Sequence, residues 1–115
     1  MVNGALEHGL NRVTLVGRLG RAPEMRYTPT GKPVTSFSIV TTYTWMSSNY
    51  EVQEETDWFN VVAWGNLAEE CKQSLAKGQR VYVEGRIKTR RWDDEDNAPH
   101  SRAEVVAQGV ISLNS

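Results

Sequence analysis

Along this chain, hydrophobic and polar positions alternate far more often than they recur at helical spacing. From Asn11 to Leu19, Val13, Leu15, Gly17 and Leu19 interleave with Arg12, Thr14, Val16 and Arg18, the period of a half-buried strand. Gly20, Pro23, Pro29, Gly31 and Pro33 then mark a loop, with Met25 to Tyr27 briefly extended. A long strand follows from about Val34 to Trp45, rich in Thr, Val, Ile and aromatic residues. The polar stretch Met46 to Glu55 reads as a flexible hairpin loop with Ser48 and Asn49 near its tip. Thr56 to Gly65 splits cleanly again, with Phe59, Val61 and Ala63 on one side and Trp58, Asn60, Val62 and Trp64 on the other.

After Gly65 the period changes. Leu67, Cys71 and Leu75 recur every four residues and form one apolar stripe of a short helix. Asn66 is placed to cap it with Glu69 three positions on, and Gly78 to end it in a left-handed residue. Glu69 and Glu70 lie early and Lys72 and Lys77 late, in agreement with the helix dipole. A fourth strand covers Gln79 to Trp92. After an acidic loop, a fifth covers Arg102 to Leu113, with Val105, Ala107, Gly109, Ile111 and Leu113 inward and Val106 and Val110 outward. Strand, strand, strand, helix, strand, strand is the order of the OB-fold, a five-stranded Greek-key barrel with its helix between strands 3 and 4. The expected class is therefore all-β with one short helix, in a single domain over residues 1–115 whose first nine residues form a flexible N-terminus.

The fourth strand carries the chemistry. Arg80, Tyr82, Glu84, Arg86, Lys88, Arg90 and Trp92 share one face, while Val81, Val83, Gly85 and Ile87 share the core face. Cations beside aromatic rings suit a polymer that is both anionic and flat-faced, namely unpaired nucleic acid. Composition alone would not suggest it, since 13 Lys and Arg against 14 Asp and Glu give a formal net charge of −1. The charge is segregated, however. Acidic residues gather at Glu51, Glu54, Glu55 and Asp57 and again at Asp93 to Asp96, so a neutral total hides a basic face. The lone Cys71 excludes an internal disulfide, no apolar stretch is long enough to span a membrane, and Met1 to Leu10 has no targeting pattern. A reducing, soluble compartment is expected.

The segments Leu10 to Val13 and Leu15 to Gly20, Pro23 to Tyr27, and Thr56 to Val62 with Gly65 resemble bacterial single-stranded DNA-binding proteins. So do Leu67 to Glu69, Lys77-Gly78, Val81 to Arg86 and Thr89 to Trp92, in the same order over nearly the whole chain. The resemblance implies an OB-fold, a homotetramer or related oligomer, and sequence-tolerant wrapping of single-stranded DNA during replication, recombination and repair. It also implies a bacterial cytoplasmic, nucleoid-associated location. The stacking positions of that family fall on Trp45, Trp58, Trp64 and Trp92, with Trp64 where Phe is usual and Phe59 where His is frequent. Trp45 conflicts with strict alternation, which puts it on the side of Phe37 and Ile39 unless a bulge or strong coiling intervenes. The family commonly ends in a long tail with acidic residues and a Pro-Phe pair, whereas this chain stops at Asn114-Ser115. It is read either as a domain cut from a longer protein or as a tailless member, and the tail's docking of replication and repair proteins is not carried over.

Phosphate contacts are expected from Arg86, Lys88, Arg90, Arg91 and Arg12, while Arg18, Arg26 and Lys32 either extend this track or are plain surface charges. The pattern alone also allows Trp58 and Trp64 to be half-buried sheet residues and the cations to be a solvated face. Cys71 is a helix-stripe residue, and His8 and His100 lack partners at metal-binding spacing. The run Asp93 to Asp96 lacks the spaced pattern of a calcium loop. No nucleophile elbow or phosphate-cradling glycine loop is present, so no enzyme activity, metal or cofactor is expected. Two other readings share the barrel: a metal-dependent nuclease, and a protein-interaction module of a replication-restart complex.

Overall fold

The computed structural model describes residues 9–113; most of the N-terminal stretch read as flexible, residues 1–8, lies outside them, as does the Asn114-Ser115 end. Its strands are β1 (Val13–Leu19), β2 (Glu24–Tyr27), β3 (Pro33–Met46), β4 (Val52–Trp64), β5 (Arg80–Asp93) and β6 (Pro99–Ser112), with one helix, α1 (Asn66–Ser74). The sheet runs β1-β5-β6-β4-β3-β2, and a further β1–β3 pairing at Arg18–Val40 and Leu19–Ile39 closes five of the strands into a barrel. All pairs are antiparallel except β4–β6, which is parallel. Short β2 is an extra strip on β3, so α1 falls between the third and fourth barrel strands, the OB-fold arrangement.

Inward positions of every barrel strand meet in one core. Leu15, Leu19, Phe37, Ile39, Val61, Ala63, Val81, Val83, Val105 and Ala107 fill it, and Ala68, Cys71 and Leu75 of the helix segment join the same cluster. The Thr35 hydroxyl donates to the Ala68 carbonyl at 2.7 Å, fastening α1 to β3 where both are buried. Burial pushes the Cys71 thiol up to about 11, with Glu70 adding to the shift, so the thiol stays protonated and unreactive at neutral pH. No helix among the described residues is long and apolar enough to cross a membrane.

Several boundaries differ from those read in the sequence. The loop expected over Met46 to Glu55 shrinks to residues 47–51, because β3 and β4 stay in register out to Met46–Val52. Its polar residues belong to a hairpin arm solvated on both faces, where polarity does not signal a loop. Asn66 is the first helical residue and not the cap. Gly65 holds that place at φ 65°, without any side-chain cap, because strand and helix are joined by this one residue. Gly78 has φ 85° but does not end the helix, since Leu75 already leaves it in an extended conformation and Gly78 turns the chain back to donate to Leu19.

A bulge reverses the phase of the last strand. Glu84 pairs with Gly109 and Gly85 with Ala107, leaving Gln108 as an extra residue on β6. Beyond it Val110 packs against the core and Ile111 is 57% exposed, the opposite of the alternation expected for both. Ile87, expected inward, is also exposed. Pairing of β1 with β5 ends at Val13–Gly85, so Ile87 has no β1 strand beside it; on that edge the Asn11 side chain brackets its backbone.

Closure at β1–β3 demands close backbone approach. A Cβ at Gly17 would run into the Val40 carbonyl oxygen and the Ile39 side chain. Gly17→Ala should therefore destabilise the fold by about 1 to 3 kcal/mol, the usual range for overpacking, seen as a lower urea midpoint. An unchanged midpoint would mean that the two strands separate without cost.

Candidate nucleic-acid interface

The outer face of the barrel is built from the residues that alternate with its core. On β5, Arg86, Lys88 and Arg90 project outward from beyond the buried Val81, Val83 and Gly85. On the other side of the same face, the registers set Arg26 of β2, Val34 of β3 and Trp64 of β4 in one cross-strand row. Val62 and Val106, paired across β4 and β6, form the apolar floor between them. The result is a groove of about 650 Å³ that Tyr27 and Lys32 also line. Lys32 Nζ lies 5.3 Å from the centre of the Trp64 ring, a cation–π contact. Arg26, Lys32, Arg86, Lys88 and Arg90 face a single lining carboxylate, Glu104. A chain of net charge −1 thus presents a strongly cationic, ring-lined channel.

The four tryptophans occupy different stations. Trp64, 41% exposed, is a wall of the groove. Trp58 is on the same face of β4, 63% exposed and paired with Val40. Its ring reaches over Gly20, just past the end of β1, where any Cβ would collide with it. Trp92 lies on the far arm of β5, stacked on its cross-strand partner His100 at 5.5 Å and 18°. Trp45 keeps the phase of Phe37 and Ile39, for the β3–β4 register has no bulge. It is nonetheless exposed, because the hairpin arm has run past the barrel by that point, and its ring stacks on Tyr43 at 5.6 Å. Overshoot, and no bulge, frees it from the core.

Two of the expected cations lie outside the groove. Arg91 alternates to the opposite side of β5 from Arg90 and borders Trp92 and His100. Arg12 is ion-paired, its Nη2 2.5 Å from Glu84 Oε1, while the Tyr82 hydroxyl donates to the other oxygen of Glu84 at 3.0 Å. The acidic run forms the β5–β6 turn: Asp94 Oδ1 accepts the N–H groups of Asp96 and Ala98, and its Oδ2 is 2.8 Å from His100 Nε2. The His100 bond and then the Ala98 N–H hold the Asp94 carboxyl below its usual range. Among the described residues, no group of three or more His, Cys, Asp or Glu is placed to hold a metal ion.

Tyr27 and Glu104 were missed by the sequence reading. Tyr27 ends a four-residue strand too short to show a period. Glu104 shares the phase of outward Val106 on β6, a signal present in the sequence but masked by the apolar run around it.

Residues 10–113 match the family described as Single-strand binding protein family. Over 111 residues the chain is 47% identical to Single-stranded DNA-binding protein 1 of Chlorobaculum tepidum, covering 96% of this chain and 68% of that protein. Over 104 residues it is 44% identical to Single-stranded DNA-binding protein of Neisseria meningitidis serogroup A, covering 90% of this chain and 60% of that one. Its fold superposes on the Plasmodium falciparum SSB in complex with ssDNA with a TM-score of 0.84 at 32% identity, covering 94% of this chain and 98% of the other. With the closed barrel and helix placement described above, these matches lead to one assignment: the chain belongs to the single-strand binding protein family.

Proposed function

We infer that this chain binds single-stranded DNA along the outer face of its barrel, residues 10–113 acting as one binding domain that holds the strand without chemistry upon it. The observation that carries this reading is the groove, where the Trp64 ring stands among Arg26, Lys32, Arg86, Lys88 and Arg90. Cations collect along the phosphate backbone and release its condensed counterions, and ring faces stack on exposed bases. Every base has a flat face, so stacking gives affinity with little sequence choice. A duplex hides those faces and binds poorly. The names of the two relatives and the ssDNA in the superposed complex support the same ligand.

Trp64, Arg86, Lys88 and Arg90 are the first contacts in this scheme, with Trp58 and Trp92 as further stacking stations on the same outward phase. Trp45 and Arg91 serve from the flanks of the two arms, and Arg12 takes a phosphate only by giving up Glu84. Protection of single strands in replication, recombination and repair, in the bacterial cytoplasm with the nucleoid, is the role that fits.

Self-association into a homotetramer belongs to the same proposal. Val16, Tyr82 and Ile111 form one cross-strand row on the outer face, with Val16 43% and Ile111 57% exposed. Such a contiguous apolar row away from the groove suits an association surface.

Two measurements test these points. Trp64→Ala should weaken oligo-dT binding by about 1 to 3 kcal/mol and leave the slope of log affinity against log salt nearly unchanged. Lys88→Ala should make that slope shallower by about 0.7, one phosphate contact on a single strand. Equal flattening by both substitutions would contradict the division between stacking and charge. Sedimentation should give a tetramer that Ile111→Lys dissociates; a wild-type monomer at every concentration would refute the oligomer.

A further inference from the structure

A carboxylate in a groove for an anionic strand is unexpected. Glu104 stands opposite Lys88 across the β5–β6 ladder. Its side chain is only 9% exposed, yet it lines the groove with Arg86, Lys88 and Arg90. A carboxylate offers about four acceptor positions, and burying one with few partners is costly. Here Oε2 receives a single long bond from Arg102 Nη2 at 3.4 Å, and no described residue donates to Oε1. Lys88 is directly opposite without closing an ion pair within 4.0 Å. Glu104 is therefore an under-used acceptor set among cations that attract a strand to it.

We propose that Glu104 is a base-reading residue that favours guanine in the nucleotide occupying the groove. This rests on the groove being the single-stranded DNA site. Bases of an unpaired strand are read on their Watson–Crick edges, and those edges differ in how they meet a carboxylate. Guanine offers its N1–H and N2 amino group side by side, matching the two carboxylate oxygens. Cytosine and adenine offer one amino donor next to a ring-nitrogen acceptor. Thymine has one N3–H between two carbonyl oxygens, both of which repel the carboxylate. The expected order is guanine first, cytosine and adenine next, thymine last. Trp64 on the groove wall supplies the ring on which that base rests, so a tolerant stack and one selective edge contact share a site.

The test uses oligo-dT in which a single thymine is replaced by guanine or by inosine, which lacks the N2 amino group, titrated at fixed salt. With the wild-type protein, guanine should tighten binding by about three- to tenfold, the yield of one net hydrogen bond, and inosine should keep only part of that gain. Glu104→Gln preserves shape; it should raise affinity for unsubstituted oligo-dT by removing a negative charge, while bringing the guanine-to-thymine ratio close to one. Stacking within the free strand nearly cancels in such ratios. Tight binding with no guanine advantage, or an advantage that Glu104→Gln retains, overturns base reading and leaves the groove as the binding site. Failure of every oligonucleotide to bind overturns the groove and this proposal together.

Discussion

The pairing of β1 with β3 at Arg18–Val40 and Leu19–Ile39 is the contact on which the rest depends, because it turns a twisted sheet into a closed barrel. Closure fixes the inside and outside of five strands at once. Phe37, Ile39, Val61, Val81 and Val83 become fully buried, and the residues that alternate with them on β4 and β5, such as Val62 and Tyr82, are turned to the outer face. The outer rings and cations are thus held on a rigid surface before any ligand arrives, which limits the ordering cost of binding. Gly17 permits the closure, and Gly20 lets the Trp58 ring lie across the closed seam.

The same closure explains the two arms. β3–β4 and β5–β6 are longer than the barrel is tall, so their ends pair only with each other and stand free of the core. Trp45 and Trp92 are carried on these arms, while Trp58 and Trp64 lie on the barrel wall. Charge follows the division. Glu54, Glu55 and Asp57 go to one arm and the Asp93 to Asp96 run to the tip of the other, while the cations on the wall gather in the groove. Segregation at this scale is what allows a chain of net charge −1 to attract a polyanion locally.

Much of this was legible in the sequence wherever alternation ran unbroken. The outward phase of Arg86, Lys88, Arg90 and Trp92, the opposing phases within β4, and the Cys71–Leu75 stripe were all readable from period alone. Reading failed where a single residue changed the phase or geometry. Gln108 is one extra residue, and it exchanged the roles of Val110 and Ile111 without altering the hydrophobic pattern. Asn66 has cap chemistry, but the chain turned at Gly65 before it. Trp45 lay in the core phase and is exposed only because neighbouring strands end short of it, a fact of three-dimensional length that no local pattern holds. Arg12 was indistinguishable from a groove cation until folding set Glu84 beside it.

The central claim is that the outer face, with Trp64 at the groove, is the path of the strand. Photocrosslinking with an oligonucleotide carrying 5-iodouracil, followed by peptide mapping, tests it most directly, since the halogenated base reacts with the aromatic ring on which it stacks. The account predicts adducts on Trp64 and Trp58 of β4 and on the β5 segment that ends at Trp92. Adducts confined to α1 or to the acidic β3–β4 turn, with those rings unmodified, would contradict it.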